Sequence, residues 1–202
     1  VTVSAVNDAP VLVAPITDLD AKQGGAFSLS LGSTFTDVDL EALTYTATQA
    51  SGSALPSWLK LNGNVLSGVP SGVEDLISIK VVARDATGAT VSDTFDLSIG
   101  RIFNGGTGAD RYTGGRGDDT ISGAKGNDEL TGGEGDDRII AGEGADRLTG
   151  GAGADLFVFG PKAGSDRIND MTLGLDHIRL EGGVSALSWK VSKGDSVINL
   201  SD

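Results

Sequence analysis

The amino-acid sequence predicts an all-β protein in which a β-sandwich is followed by a β-solenoid with a C-terminal β cap. Short alternating strand patterns recur before residue 100, each bounded by turn residues. A nine-residue glycine-rich phrase then repeats six times, without slipping, over residues 105–158. One apolar residue in nine cannot close a core alone, but stacked coils can lay these residues on one another. The fixed period therefore predicts a stack of coils in the second half of the chain.

Four segments are expected along the chain. Residues 1–10 are the last strand of a preceding domain and a linker, since residues 1–6 alternate like a strand. The sandwich covers residues 11–100, and the solenoid covers residues 101–160. Residues 161–202 are expected to cap the solenoid, because its last coil would otherwise expose an apolar face. This arrangement predicts that the chain is an excerpt from a longer array of domains.

The sandwich prediction depends on four strand patterns. They cover residues 26–31, 42–48, 76–83 and 90–99, with turn clusters of Asn, Gly, Pro and Ser between them. Alternation with a period of two is the pattern of a strand with one buried face. Several such strands at near-regular spacing favour a sandwich of about 90 residues.

Charge and composition narrow the classes of partner. The 202 residues carry a formal net charge of −13, contain no cysteine and one histidine, and are 39% hydrophobic. Such an acidic chain disfavours nucleic acid or an anionic membrane surface as a partner and favours cations or neutral ligands. The sequence has no run of about 18 apolar residues, so no membrane span is predicted. The lack of cysteine fits an extracellular protein whose fold is stabilised by a bound metal and not by disulfide bonds.

Each copy of the nine-residue phrase has the same slots. Positions one, two and four are glycine, apart from Ala141 at position one and Ala124 at position two. Position eight is always large and apolar, and position six is always aspartate: Asp110, Asp119, Asp128, Asp137, Asp146 and Asp155. Each copy is therefore predicted to form a flexible turn, a carboxylate and a three-residue strand whose central side chain points inward.

Stacking such copies brings their carboxylates into rows that repel one another. Residues 105–158 hold eleven Asp and Glu residues against five Lys and Arg residues. A hard dication with oxygen ligands removes this repulsion, and calcium, which accepts about six to eight oxygens, suits turns rich in carbonyl and carboxylate groups. Zinc and copper fit poorly in a chain without cysteine and with one histidine. The sequence therefore predicts calcium as the bound ion.

The phrase GGxGxDxUx, in which U is apolar, resembles the RTX (repeats-in-toxin) calcium-binding nonapeptide. The resemblance implies a parallel β-roll in which two nonapeptides form one coil and each calcium ion lies between turns n and n+2. The implied carboxylate pairs are Asp110 with Asp128, Asp128 with Asp146, Asp119 with Asp137, and Asp137 with Asp155. Carbonyl groups of the turn glycines would complete the shells of several ions, about four or more in the roll.

The glycines expected to contribute to these metal sites occupy positions two and four of the repeat. They are Gly106, Gly108, Gly115, Gly117, Gly126, Gly133, Gly135, Gly142, Gly144, Gly151 and Gly153. After a two-residue slip near Pro161, residues 164–168 (GSDRI) keep the spacing of the phrase, so Asp166 is a further candidate ligand. His177 is expected to be a surface residue of the cap and not a ligand.

Fragments of the first half resemble the dystroglycan-type, cadherin-like (Ig-like) repeats of bacterial surface proteins. They are residues 6–10 (VNDAP), similar to the linker between such domains, and residues 36–39 (TDVD) and 83–88 (ARDATG). In cadherins, the corresponding acidic residues converge on calcium ions held between successive domains. The resemblance thus implies a metal site at the N-terminal pole of the sandwich, formed by Asp8, Asp37, Asp39 and Asp85. The alternative is that these are ordinary turn and capping aspartates.

The favoured function is that of a calcium-binding segment of a secreted bacterial RTX adhesin, which folds on calcium outside the cell and supports cell adhesion. By resemblance, type I secretion from a Gram-negative bacterium would place it outside the cell, free or attached to the cell surface. Expected partners are calcium, adjacent domains of a longer surface protein, and glycans or a host or abiotic surface.

Two alternative functions stay open. One is the C-terminal export or attachment region of a secreted RTX hydrolase, and the other is glycan binding by the sandwich. The sequence shows no arrangement of nucleophile, base and oxyanion-stabilising groups, so no catalytic residues are named and no enzyme activity is expected. Neither nucleic acid nor a membrane span is expected.

Overall fold

The computed structural model describes residues 6–72, 74–183, 186–192 and 195–201. Most of the strand predicted for residues 1–6 lies outside these ranges. Within these ranges, the regular secondary structure consists of β-strands and contains no helix, so the all-β prediction is confirmed. The chain forms two compact units, Val1–Ser98 and Ile99–Asp202.

The first unit is a β-sandwich. Its strands are β1 (Val11–Leu12), β2 (Leu19–Lys22), β3 (Phe27–Ser30), β4 (Phe35–Thr36), β5 (Thr44–Gln49), β6 (Leu59–Asn62), β7 (Val65–Gly68), β8 (Leu76–Arg84) and β9 (Thr90–Gly100). One sheet has the order β2-β9-β8-β5, a second has the order β3-β7-β6, and β1 pairs with β4. The four strand patterns predicted from the sequence correspond to β3, β5, β8 and β9.

Alternation along β8 shows how the sandwich core forms. Ile77, Ile79, Val81 and Ala83 are buried, and the residues between them are more exposed. Because successive side chains of a strand point to opposite faces, this spacing presents one apolar face to the opposite sheet. Burying each of the larger side chains contributes about 1.5–3 kcal/mol relative to leaving it in water.

The second unit is a β-solenoid. Its strands are β10 (Ile102–Asn104), β11 (Arg111–Thr113), β12 (Thr120–Ser122), β13 (Glu129–Glu134), β14 (Arg138–Ile140), β15 (Arg147–Ala152), β16 (Leu156–Phe159), β17 (Ser165–Ile168), β18 (His177–Leu180), β19 (Ala186–Ser192) and β20 (Asp195–Ser201). They form two sheets, in the orders β10-β12-β14-β16-β18 and β11-β13-β15-β17-β20-β19. Consecutive strands of the repeat therefore alternate between the two sheets.

The parallel register joins residues that are two nonapeptides apart. Ile121 pairs with Ile139, and Leu130 pairs with Leu148. These position-eight side chains are fully buried, together with Phe157 from the last copy. Each coil thus consists of two copies of the repeat, and its inward side chains stack into one continuous core.

Parallel pairing continues into the segment that the sequence assigned to the cap. Strand β17 pairs in parallel with β15, with Arg147 opposite Arg167 at a separation of 20 residues. Strand β18 pairs in parallel with β16, with Leu156 opposite His177 at a separation of 21 residues. The extra residues lie in the turns, so the strands stay in register. The C-terminal β cap is the antiparallel pair β20 and β19, which extends the sheet from β17.

Glycine is needed where the solenoid turns stack most closely. Gly144 has a φ of +144°, and a Cβ at this position would collide with the carbonyl oxygen of Gly126. Gly108 has the same position in the repeat, but a Cβ there would have no atom within 4 Å. The two glycines therefore differ in steric demand, although the sequence pattern treats them alike.

We expect Gly144→Ala to destabilise the solenoid by more than about 1 kcal/mol, because it adds both backbone strain and a clash with a turn that cannot move independently. The matched variant Gly108→Ala should change the stability by less than about 0.5 kcal/mol. Urea unfolding followed by circular dichroism in the presence of calcium measures both. Equal losses of stability in the two variants would contradict the stacking seen here.

Candidate metal centre

The parallel register places the position-six aspartates in two rows, one along each edge of the solenoid. The first row, on the Asp128 edge, belongs to the turns at residues 105–110, 123–128, 141–146 and 160–166. The second row, on the Asp137 edge, belongs to the turns at residues 114–119, 132–137, 150–155 and 169–176. Along the rows, the backbone N–H of one aspartate donates a hydrogen bond to Oδ1 of the next. The donor–acceptor distances are 2.8 Å for Asp110 to Asp128, 2.8 Å for Asp128 to Asp146, 2.9 Å for Asp146 to Asp166, 2.8 Å for Asp119 to Asp137, 3.0 Å for Asp137 to Asp155 and 3.0 Å for Asp155 to Asp176.

The second carboxylate oxygen of most of these aspartates is buried without a hydrogen-bond partner. This holds for Oδ2 of Asp128, Asp137, Asp146, Asp155 and Asp166. Each of these residues is at most 2% exposed. A buried polar atom without a partner costs roughly 1–3 kcal/mol, and more when it is charged. These five oxygens therefore require a cation, or a proton, in the folded protein.

In the remaining three aspartates of the rows, Oδ2 accepts a hydrogen bond from a backbone N–H of the same turn. Oδ2 of Asp110 accepts a hydrogen bond from the Gly106 N–H at 2.8 Å, and Oδ2 of Asp119 accepts one from the Gly115 N–H at 2.8 Å. Oδ2 of Asp176 accepts one from the Thr172 N–H at 2.6 Å. These oxygens are satisfied within the protein, so the eight aspartates are not equivalent.

The backbone conformations of the turns also separate the aspartates with an unpartnered Oδ2 from Asp110 and Asp119, whose Oδ2 is bonded within its own turn. Position-two and position-four residues of copies three to six have positive φ values: Ala124, Gly126, Gly133, Gly135, Gly142, Gly144, Gly151 and Gly153. The corresponding glycines of copies one and two, Gly106, Gly108, Gly115 and Gly117, are not among the residues with positive φ. Copies three to six are thus the ones in which the turn leaves a carboxylate oxygen unpartnered.

Backbone carbonyl groups line the same turns. A Cβ on Gly133 would collide with the Gly115 carbonyl oxygen, and one on Gly151 would collide with the Gly133 carbonyl oxygen. The N–H of Glu134 also donates to the Gly115 carbonyl, at 2.7 Å. Turns two copies apart therefore stack in backbone contact, which gathers carbonyl oxygens next to each row of carboxylates.

Burial changes the acidity of the unpartnered aspartates. It raises the pKa of Asp137 to about 8 and that of Asp166 to about 7, and the negative charge of neighbouring aspartates adds to the effect. The pKa values of Asp146 and Asp155 are raised to about 6, also mainly by burial. The rows therefore hold negative charge unfavourably unless a cation is bound.

The donor atoms in these rows fit calcium. Among the described residues, no three His, Cys, Asp or Glu side chains form a metal-sized group. Each position along a row thus offers at most two stacked carboxylates, and backbone carbonyls must supply the other ligands. An all-oxygen set of this kind suits calcium, which tolerates irregular shells of six to eight oxygens at about 2.3–2.6 Å.

A second acidic cluster lies at one pole of the sandwich and contains the residues predicted there. The Asp8 N–H donates to Asp39 Oδ2 at 2.8 Å, and the Asp39 N–H donates to Asp37 Oδ1 at 2.8 Å. Asn7 Nδ2 donates to Asp85 Oδ2 at 3.0 Å. Oδ2 of Asp37 and Oδ1 of Asn7 are buried without a partner.

Asp85 has a structural role within this cluster. Its Oδ1 accepts hydrogen bonds from the backbone N–H groups of Gly88 and Ala89, at 2.6 and 2.9 Å, and from the Thr87 hydroxyl. Together with the hydrogen bond from Asn7, which is the largest contribution, these contacts lower the pKa of Asp85 below its ordinary value. Asp85 therefore caps a turn as well as facing the cluster.

Sequence reasoning missed two aspartates on the Asp137 edge. Asp176 extends the row, and its signal was present, because Asp176 and Ile178 keep the spacing of positions six and eight. Asp170 accepts hydrogen bonds from the N–H groups of Gly150 and Gly151, at 2.9 and 2.8 Å. No repeat position predicts Asp170, since it lies in an insertion.

Comparison with family models agrees with this architecture. Residues 9–100 match the model of a putative Ig domain, and residues 104–139 and 131–161 match the model of the RTX calcium-binding nonapeptide repeat. The chain is therefore an Ig-like domain followed by RTX calcium-binding nonapeptide repeats. No curated protein matches it. In the part of the chain that the structure describes, no helix is long and apolar enough to cross a membrane.

Several solved structures are distantly similar. One is a nucleoside hydrolase-related protein from Saccharophagus degradans (20% identity, TM-score 0.37), where the match covers 47% of this chain and 26% of that one. Another is an endo-fucoidan hydrolase of glycoside hydrolase family 107 (26% identity, TM-score 0.37), with 49% and 14% covered. A third is a subunit of the Azotobacter vinelandii mannuronan C5-epimerase (30% identity, TM-score 0.38), with 45% and 60% covered. The chain thus spans less than two thirds of the length of each, and these likenesses are too distant to inform function.

We expect the calcium-free solenoid to become more stable as the pH falls from about 8 to about 5. The four raised pKa values mean that the folded state binds protons more tightly than the unfolded chain, whose aspartates titrate near 3.8. Stability from this source is lost as the pH rises through about 6 to 8.

Circular dichroism in excess chelator measures this pH dependence as the fraction of the solenoid that is folded at each pH. A parallel series in saturating calcium is the control, because ionised carboxylates are then favoured and the trend should vanish or reverse. A calcium-free solenoid that loses stability between pH 8 and pH 5 would contradict the expectation.

Proposed function

We propose that this chain is a calcium-binding segment of a secreted adhesin, which folds on calcium outside the cell. The observation that carries the proposal is the set of five buried aspartate oxygens without partners, arranged in two rows between stacked turns. In this proposal, Asp128, Asp137, Asp146, Asp155 and Asp166 provide the principal carboxylate ligands. Carbonyl groups of the position-two and position-four residues provide the others.

Binding and folding are coupled in this arrangement. The two rows exist only when the coils are stacked, so the unfolded chain has no preformed site. An ion that binds only the folded state stabilises it by mass action, and this stabilisation grows with the free ion concentration. Calcium is scarce inside cells and abundant outside them, so the same chain would remain unfolded before export and fold after it.

The predicted pairs acquire different roles in this proposal. Asp110 and Asp119 begin the two rows, and each has Oδ2 bonded to its own turn. They therefore contribute less to ion binding than Asp128 and Asp137, one coil further along. Asp166 lies beyond the regular nonapeptides and adds a position that the four sequence-derived pairs did not include.

The adhesin part of the proposal is supported by the combination of units. An Ig-like sandwich joined to a metal-stapled solenoid is a suitable spacer, because neither unit requires disulfides and the chain contains no cysteine. The formal charge of −13 favours binding partners that carry cations or that are neutral, such as glycans.

A calcium titration followed by circular dichroism tests the metal function. Excess chelator should unfold the solenoid and leave most of the sandwich intact, because only the solenoid depends on stacked carboxylates.

Asp137→Asn should raise the calcium midpoint by roughly tenfold or more, since it removes a charged ligand. The matched variant Asp110→Asn should shift the midpoint by less than about threefold, because that Oδ2 is already bonded within its turn.

The two variants should also differ without calcium. Asp137→Asn removes a group that must take up a proton or bury its charge when the calcium-free solenoid folds, so its calcium-free solenoid should be more structured than that of the parent. A solenoid whose amide protection is the same in calcium and in chelator would refute the calcium proposal. Equal calcium midpoints for the two variants would refute the assignment of ligands.

Adhesion is tested with the full chain immobilised on beads. Attachment to cells or to glycan-coated surfaces should occur in calcium and be lost in chelator, and Asp137→Asn should require more calcium. Beads that fail to attach in calcium, while the solenoid is folded, would argue against adhesion and leave calcium binding unaffected.

We further propose a weaker calcium site at the N-terminal pole of the sandwich, at which the carboxylates of Asp8, Asp37, Asp39 and Asp85, which do not form a metal-sized group by themselves, would draw closer around the ion. The unpartnered oxygens of Asp37 and Asn7 support it. Three of the other carboxylate oxygens there, Oδ1 of Asp37, Oδ2 of Asp39 and Oδ1 of Asp85, accept backbone N–H groups, so fewer remain for an ion. An affinity in the range of about 10⁻⁴–10⁻³ M, typical of extracellular modules, is expected.

The pole site is tested by calorimetry after the solenoid sites are saturated. Asp37→Asn should abolish the weak binding step, because it removes the charge of the unpartnered oxygen while keeping the size of the side chain. Asp93→Asn, which alters an aspartate elsewhere in the sandwich that accepts from the Ile16 N–H, is the control and should retain the step. A parent protein without a weak step would identify these residues as turn and capping aspartates.

A further inference from the structure

We infer that the two edges of the solenoid bind calcium unequally, with the Asp137 edge taking up the ion at lower calcium concentration than the Asp128 edge. The inference rests on the proposed calcium function and adds to it an order of binding and the residues that set this order. Those residues are the side chains at position five of the repeat, next to each row of aspartates.

Position five carries charge on one edge only. It is occupied by Asp118 and Asp136 on the Asp137 edge and by Asn127 on the Asp128 edge. All three side chains do the same structural task, since Oδ1 of each accepts a backbone N–H from two copies later. The distances are 2.9 Å for Asp136 to Asp118, 2.7 Å for Ala154 to Asp136 and 2.9 Å for Ala145 to Asn127. An amide serves this hydrogen bond as well as a carboxylate, so this hydrogen bond does not require the charge.

The whole turns show the same asymmetry. The turns of the Asp137 edge contain eight acidic residues and one basic residue, a net charge of −7. Those of the Asp128 edge contain five acidic residues and two basic residues, a net charge of −3. The first basic residue of each edge faces a glutamate two copies on, with Arg116 3.7 Å from Glu134 and Lys125 3.3 Å from Glu143. Each edge has one such ion pair, so these pairs do not change the difference in net charge between the two edges.

The excess charge adjoins oxygens that need a cation. Asp137 and Asp155 on this edge are each 1% exposed, and Oδ2 of each has no partner. Asp136 directly precedes Asp137, and neighbouring Cα atoms lie about 3.8 Å apart. Even with the two short side chains pointing apart, the carboxylates are separated by roughly one Debye length, about 8 Å, so salt screens their interaction only in part. A dication bound beside Asp137 therefore gains attraction that has no counterpart beside Asp128.

A calcium titration followed by the amide resonances of turn glycines separates the two edges. Gly133 and Gly151 report on the Asp137 edge, and Gly126 and Gly144 report on the Asp128 edge. The first pair should respond at lower calcium concentration. In the double variant Asp118→Asn, Asp136→Asn, the midpoint of the Asp137 edge should rise roughly tenfold, because two nearby charges are lost. The midpoint of the Asp128 edge should change by less than about twofold.

Two single variants complete the test. Asn127→Asp adds charge to the Asp128 edge and should lower the midpoint of that edge alone. Glu129→Gln removes one charge from the outer face of a sheet, where Glu129 pairs with Arg111 at 3.0 Å, and should leave both midpoints within about twofold.

The outcomes distinguish this inference from the function on which it rests. Equal midpoints for the two edges in the parent protein, or an equal shift of both edges in the double variant, would overturn the inference. So would an unchanged Asp128 edge in Asn127→Asp. A parent protein whose turn resonances do not respond to calcium at either edge would instead overturn the proposed calcium function.

Discussion

The organisation of the solenoid depends on the burial of like charges. Stacking nine-residue copies places aspartates above one another, and five of their oxygens have no hydrogen-bond donor within the protein. Coulomb repulsion and desolvation both oppose this arrangement, whereas the apolar core formed by residues such as Leu130 and Ile139 favours it. A bound dication resolves the conflict, and this makes the ion a structural component of the solenoid.

Strand register, more than turn length, decides which carboxylates meet. Regular copies are 18 residues apart, but Asp146 meets Asp166 after 20 residues and Asp155 meets Asp176 after 21. The added residues are accommodated in the turns, because the parallel strands hold the aspartates at their starts in line. Insertions after residue 160 thus lengthen the edges without ending the rows.

The sandwich pole illustrates a weaker way of assembling an acidic cluster. Its carboxylates come from separate loops and accept backbone N–H groups, as Asp85 does from Gly88 and Ala89. Hydrogen bonds already compensate much of their charge, so a cation would gain less there than in the solenoid. The two clusters are similar in residue type, and they differ in how many oxygens the protein itself satisfies.

The pairing of copies n and n+2 was implied by the resemblance to the RTX nonapeptide, whereas the period, the aspartate at position six and the apolar residue at position eight by themselves determined the stacked coils. This was possible because side-chain alternation and an unbroken nine-residue period are local properties of the chain. The sandwich strands were predictable for the same reason. The tertiary structure alone decided that Oδ2 is satisfied in Asp110 and Asp119 and unpartnered in Asp128 and Asp137. That difference depends on whether a turn directs its own N–H groups at the carboxylate, which is a matter of backbone conformation. Copies with the same residues at the repeat positions can differ in this conformation, so the repeat sequence does not predict it.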